Sequence, residues 1–253
     1  MPVSLSQLEQ TFDELLRPAQ FRDYVPNGLQ LQGREEVGLV VSGVSACQDL
    51  IDAALAMSAD AVLVHHGFFW RNESPVITGM KRRRIGALLA ADVSLFAYHL
   101  PLDAHPQFGN NACLARLLDI RVDGELDPGD PDGVGNVGQF AEPLPMAALL
   151  QRIEQQLQRP PLHVGDPERP VQRVAWCTGS AQDYIEAAVK AGAEVYITGE
   201  VSEQTVHVAR EEGIEFIAAG HHATERYGVQ AVGEEISRRL GIEHRFIDID
   251  NPV

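Results

Sequence analysis

Twice along this chain, short apolar strand patterns alternate with helical ones. Residues 37–41, 61–64 and 93–98 read as buried strands separated by helical spacing at 47–57 and 82–91. Residues 171–178, 194–198 and 214–218 read as strands separated by helices at 183–191 and 204–211. Such an alternation is βαβ wiring and predicts a mostly parallel sheet in each half. A helix carrying Leu8, Phe12, Leu15 and Leu16 precedes the first run, and Pro18, Pro26 and Asn27-Gly28 close it in turns. With 253 residues and 45% hydrophobic content, the chain can bury a core of ordinary size.

The two runs resemble each other residue by residue. Residues 53–62 (AALAMSADAV) match residues 187–196 (AAVKAGAEVY) at an offset of 134, which sets His65-His66 opposite Gly199-Glu200. At a different offset, 122, His99-Leu100-Pro101-Leu102-Asp103 shares its histidine-to-carboxylate spacing with His221-His222-Ala223-Thr224-Glu225. The expected fold is therefore α/β, with two similar halves about a pseudo-two-fold and the strand ends of both facing one cleft that holds a metal site. Between residues 119 and 138 the chain is rich in Asp, Gly and Pro, including Asp123, Asp127, Asp130 and Asp132. A boundary placed there gives an N-terminal half at 1–127 and a C-terminal half at 128–253.

Charge and cysteine content narrow the function classes. Twenty Lys and Arg stand against 36 Asp and Glu, a formal net charge of −16 that repels phosphate backbones and anionic lipid. Direct nucleic-acid binding is disfavoured on this ground. Cys47, Cys113 and Cys177 are odd in number and widely spaced, which fits neither a disulfide framework nor a paired-cysteine zinc site and points to a reducing compartment. The first residues lack a basic start followed by an apolar run, and nowhere do apolar residues continue long enough for a span. A cytoplasmic protein with no membrane partner is the expectation.

Three segments gather polar residues where the expected strands end, the usual place for ligands in open α/β sheets. They are His65-His66-Gly67, residues 99–105 with His99, Asp103 and His105, and residues 220–225 with His221, His222 and Glu225. Imidazole and carboxylate suit divalent zinc, manganese, iron or nickel, and no thiolate accompanies them. Five such groups, His65, His66, Asp103, His221 and Glu225, exceed the three that one catalytic zinc usually takes, so two metal ions sharing a bridging carboxylate are the natural reading. Asp103 is the best placed for the bridge. Neighbouring residues on a regular strand face opposite ways, so His65 and His66 can converge only if a turn begins there, which Gly67 permits. His221 and His222 are both spaced to meet Glu225 on a helix. Spacing does not choose; the repeat with His99 and Asp103 favours His221 and leaves His222 as a hydrogen-bond partner. Glu200 and His99 are assigned catalytic or orienting roles beside the metals.

An isolated histidine is more often a hydrogen-bonded structural group than a ligand, and His163, His207 and His244 are read so. Gly133-Val134-Gly135-Asn136-Val137-Gly138 spells a dinucleotide fingerprint, but no strand precedes it and no helix opens on it. It reads as a turn into a strand at 137–140. The basic run at 81–84 reads as a solvated helix start able to draw in an anion.

Residues 24–33 with Asn27-Gly28-Leu29-Gln30, His65-His66-Gly67, residues 98–111 with His99, Leu102-Asp103 and Gly109-Asn110-Asn111, Thr198-Gly199-Glu200, and residues 220–226 together resemble the Nif-three-like family. The likeness is to its bacterial YbgI-type branch, whose members bear the name GTP cyclohydrolase 1 type 2 homologue. It runs over essentially the whole chain. What it implies is a two-domain α/β fold, a dinuclear centre on His65, His66, Asp103, His221 and Glu225, and a toroidal homohexamer with its metals facing an internal cavity. The expected function is metal-dependent hydrolysis of a nucleotide-like or phosphorylated small anion, GTP cyclohydrolase-like. The alternative is a non-catalytic metal-binding, metal-delivery or regulatory protein.

Overall fold

The computed structural model describes residues 1–129 and 134–253. In chain order its elements are β1 (Val3–Ser4), α1 (Leu5–Leu16), β2 (Gly28–Leu31), β3 (Glu36–Val37), β4 (Leu39–Ser45), α2 (Gln48–Ala56), β5 (Ala61–His66), α3 (Gly79–Ala90), β6 (Ser94–Ala97) and α4 (Leu100–Ala104). There follow α5 (Asn110–Leu117), β7 (Arg121–Glu125), β8 (Asn136–Pro145), α6 (Met146–Leu157), β9 (Leu162–Val164), β10 (Pro170–Trp176), α7 (Ile185–Lys190), β11 (Val195–Thr198), α8 (Glu203–Glu212), β12 (Glu215–Ala218), α9 (His221–Leu240) and β13 (Glu243–Phe246). The chain is α/β, as the alternation requires, and forms two compact units: Met1–Gly109 with Gly228–Asp250, and Asn110–Tyr227 with Asn251–Val253. Where the sequence suggests a division between Asp127 and Pro128, the units instead exchange chain at Gly109/Asn110, at Tyr227/Gly228 and at Asp250/Asn251. The physical reason is that the later turns of α9 bury Val229, Val232 and Ile236 with the α1 residues Leu8 and Phe12.

In the first unit a five-stranded sheet runs β13-β4-β5-β6-β2. Its four strands from β13 to β6 are parallel, and β2 closes the edge antiparallel to β6. Strand alternation decides which side each residue serves. Val40, Val44, Leu63 and Phe96 meet α1 and the end of α9, whereas Val41, Val62, Val64 and Leu95 meet Leu50 and Ile51 of α2 and Ile85 and Leu88 of α3. Covering both faces explains why these strands read as continuous apolar runs. Helix α1 starts cleanly because the Ser4 hydroxyl accepts a hydrogen bond from the Gln7 N–H at 3.1 Å.

The second unit holds a six-stranded sheet, β7-β8-β10-β11-β12-β9, in which β10, β11 and β12 are parallel and the flanking strands antiparallel. Leu114 and Leu118, from α5 and just after it, and Met146, Leu149, Ile153 and Leu157 of α6 bury against Val174, Trp176, Val195 and Ile197. Within the Asp-, Gly- and Pro-rich stretch, β7 pairs with β8. Asp130, Asp132 and Gly133 lie outside the described residues. Gly138 belongs to β8, where a Cβ would collide with the Arg121 carbonyl, so strand pairing accounts for this glycine of the fingerprint-like run. Among the described residues, no helix is long and apolar enough to cross a membrane.

Candidate metal centre

The first unit delivers three imidazoles and a carboxylate to the C-terminal ends of β5 and β6. His65 and His66 are the last residues of β5, and pairing persists through His66, which lies opposite Ser45. The expected turn therefore starts one residue later, at Gly67. Even so, the two rings lie 4.4 Å apart, centre to centre. A Cβ on Gly67 would strike the Gln30 amide and the Ala97 side chain, so only glycine lets the chain leave the strand this close to its neighbours. Asp103, in the first turn of α4, brings Oδ1 to 3.5 Å from His65 Nε2, and both side chains are buried. His99 sits just before α4, stacked 5.1 Å from the His65 ring. Ring nitrogens of His65, His66 and His99 all lie within 4.8 Å of one another, a group able to hold a metal ion.

Each of these rings is fixed from behind. His65 Nδ1 lies 3.0 Å from the Tyr98 carbonyl, whose oxygen can only accept, so this nitrogen carries the proton in the neutral ring. His66 Nδ1 lies 3.1 Å from the Ser45 hydroxyl. His99 Nδ1 meets the Asp23 carboxylate at 3.0 Å, while its backbone N–H donates to Asn27 Oδ1 at 2.6 Å. Asp23 also accepts from the Leu100 N–H and the Asn27 amide. Burial works to raise its pKa, but His99 and these donors outweigh that and hold it at about 2.

The second unit offers a smaller set. His221 opens α9 and sets Nε2 3.2 Å from Glu225 Oε2, one helical turn on. Its Nδ1 lies 2.6 Å from Glu200 Oε1. Burial pulls the His221 pKa down, yet Glu225 and Glu200 together overcome it and raise it to about 9. Gly179, at φ +73°, presses its backbone against this pair; a Cβ there would overlap Glu225. Thr224 ties the same corner by accepting from the Gly179 N–H and donating to the His221 carbonyl.

The donor set fits divalent metal. Nδ1 of His65, His66 and His221 lies against a carbonyl, a hydroxyl and a carboxylate, which leaves Nε2 as the coordinating face, and orienting partners of this kind are the usual support of metal-bound imidazole. His99 is braced likewise, but its Nε2 lies 3.4 Å from the Tyr24 hydroxyl.

The remaining histidines have structural neighbours. His163 pairs with buried Glu215 at 2.7 Å, His244 with Ser42 at 2.7 Å, and the His105 ring accepts from the Gln107 and Phe108 N–H groups. His207 is exposed on α8, and the His222 N–H donates to the Val253 carbonyl. The basic run departs from expectation at Lys81, which is buried and paired with Glu73 at 2.9 Å instead of solvated. Sequence reasoning passed over Asp23, Ser45 and Gly179. Asp23 adjoins the 24–33 segment already singled out, and that adjacency was its only signal.

Comparison with known proteins agrees with this architecture. A Pseudomonas aeruginosa protein named GTP cyclohydrolase 1 type 2 homolog is 55% identical over 252 residues, covering 100% of both chains. The solved structure of the protein ybgI, of unknown function, superposes with a TM-score of 0.94 at 51% identity over 99% of this chain and 100% of that one. TTHA1606 from Thermus thermophilus follows with a TM-score of 0.88 at 33% identity, over 99% and 100%. The family model for Duf34/NIF3 (NGG1p interacting factor 3) matches residues 3–252, and with motifs, fold and histidine supports all in place the chain belongs to that family.

Proposed function

We propose that His65, His66, Asp103, His221 and Glu225 hold two divalent metal ions, and that the centre hydrolyses a nucleotide-like or phosphorylated small molecule. The observation that carries this reading is the support behind the rings: the three histidines among these ligands keep Nδ1 engaged and turn Nε2 toward the proposed ions. Three donors in one unit and two in the other suffice for two ions only if both sets serve one centre, and the proposal takes them to do so.

When bound, such a pair of ions supplies water of lowered pKa and polarises the bond under attack. The protein's own groups do the rest. Two carboxylates leave the ions' positive charge partly uncompensated, which favours an anionic substrate. Glu200 takes or returns a proton at His221 Nδ1 and fixes that ring's orientation. His99, braced by Asp23, places a further imidazole beside His65 for substrate contact. Opening a purine ring needs activated water, so cyclohydrolase action on GTP falls within this chemistry. The name borne by the Pseudomonas aeruginosa relative supports that choice. The family resemblance adds a cytoplasmic homohexamer.

The test is elemental analysis of protein kept from chelators and nickel resin, followed by assay of metal-loaded protein against nucleotides and phosphoesters. Two equivalents of metal and turnover that disappears in Asp103→Ala are expected. Metal without turnover, exchanged rapidly to an acceptor, assigns the chain to metal delivery instead, and absence of stoichiometric metal defeats both.

A further inference from the structure

The loop from 67 to 78 departs from the parallel between the two units. It joins β5 to α3 in twelve residues, where 199–202 joins β11 to α8 in four. Its structure is built, not slack. The Glu73 carboxylate accepts from the N–H groups of Phe69 and Trp70 at 3.1 and 3.2 Å and from buried Lys81 Nζ at 2.9 Å. Lys81 in turn lies over the Phe69 ring at 4.9 Å. On the other side the Gln30 amide receives the Phe68 N–H at 2.8 Å and donates to the Pro26 carbonyl.

This clasp carries Trp70 to the histidines. Its ring centre is 4.9 Å from that of His66, and Tyr24 meets His99 edge-on at 5.1 Å. Trp70, Tyr24 and Phe68 line one solvent-open pocket with His65, His66 and His99. Trp70 and Tyr24 remain 45% and 48% exposed although the charge of buried Lys81 is spent on holding the loop through Glu73. Exposed aromatic surface grouped at a polar site marks a binding surface. The Arg71 guanidinium lies 4.9 Å over the Tyr24 ring and puts a cation at the rim.

We propose that this pocket is a ring subsite: Trp70 and Tyr24 stack a planar heteroaromatic ring of the substrate beside the histidines, and Glu73 with Lys81 is the positioning pair that holds Trp70 there. Aliphatic ligands would bury the same area, but only a π-face also gains from ring stacking and from the guanidinium at the edge. The inference deepens the hydrolase reading and rests on it for the word substrate; the ring-binding claim itself needs no metal.

Nucleosides serve as probes because they carry the ring without phosphates that chelate metal. Guanosine, adenosine, cytidine and uridine are titrated into the full-length protein by calorimetry and by tryptophan fluorescence, with ribose as the ringless control and metal content measured in every sample. Trp70 and Trp176 are the two tryptophans, and Trp176 is fully buried, so a change on binding reports Trp70. Saturable binding of at least one nucleoside and none of ribose is expected. Trp70→Ala should weaken it on the order of ten-fold with metal content unchanged, Trp70→Phe should restore most of it, and Glu73→Gln should fall between. Equal affinity in Trp70→Ala and Tyr24→Ala, or no nucleoside binding at millimolar concentration, overturns the subsite. Absence of stoichiometric metal from carefully purified wild-type protein that still binds nucleoside overturns the hydrolase reading and leaves the subsite standing.

Discussion

The ends of β5 and β6 in the first unit and of β11 and β12 in the second have the same wiring and different chemistry. Both follow three parallel strands with helices between them, and both put a histidine after the third strand, His99 or His221, four residues before a carboxylate. After the middle strand they diverge: His65-His66-Gly67 in one, Gly199-Glu200 in the other. The first unit braces its two adjacent histidines with neutral groups, the Tyr98 carbonyl and the Ser45 hydroxyl. In the second, one histidine lies between two carboxylates. A repeated backbone thus fixes where side chains arrive, while the residues at the strand ends decide whether they arrive as ligands or as the brace behind a ligand.

If the two sets serve one centre, removing a carboxylate from either unit should have the same large effect. Asp103→Ala and Glu225→Ala are each expected to reduce metal affinity by more than about 100-fold, beyond the roughly 10–100-fold of an orienting partner. Calorimetric titration with zinc and manganese measures this. A variant that loses one ion and binds the other with wild-type affinity would show two independent sites and break the comparison.

Next in size is Glu200→Gln. The amide can still meet His221 Nδ1 but no longer supplies charge, so metal affinity should fall within roughly ten-fold to 100-fold while the metal-free fold keeps its melting temperature within a few degrees. An unchanged affinity would make Glu200 a surface group and remove the second unit's distinguishing feature.

How much of this was legible before folding follows from the forces involved. The strand and helix rhythm could be read because both sheet faces of the first unit are covered, so Val40, Val41, Val62 and Leu63 are all apolar and the run is unmistakable. The short edge strands β2, β7, β9 and β13 were not, since an edge is half exposed and carries no apolar run. Grouped histidines at strand ends could be noticed for the same reason as the strands: local spacing. Their braces could not, because Ser45 lies 21 residues from His66 and Asp23 lies 76 from His99. Lys81 misled because a lysine in a basic run is ordinarily solvated, and its burial depends on Glu73 arriving from a loop with no pattern of its own.

Asp23 gives a pH-dependent contrast between the units. Its folded pKa, about 2, is below the ordinary 3.8, so its stabilisation is fully present above about pH 4 and disappears as the pH falls through 2. The shift corresponds to about 2 kcal/mol in the first unit. Metal-free Asp23→Asn should therefore be less stable than wild type at about pH 6, with the gap closing between about pH 4 and pH 2 in thermal or urea unfolding. A gap of constant size across that range would mean that Asp23 acts through shape alone.

Ser45→Ala should have the smallest effect, and its size measures how far the neutral brace differs from the charged one. His66 keeps its place on β5, its contact with the Trp70 ring and its burial, so only the hydrogen bond to Nδ1 is lost. A neutral hydrogen bond contributes about 1 kcal/mol net, which corresponds to roughly a five-fold weaker metal affinity, less than expected for Glu200→Gln. Measured side by side, the two variants decide whether the units differ in kind. Equal losses would mean that orientation is the whole role of both braces and that the second carboxylate at His221 adds nothing through its charge. A larger loss in Glu200→Gln, shrinking as salt is added, would assign the excess to charge, because a half-buried carboxylate is still partly screened and the neutral Ser45 hydroxyl is not.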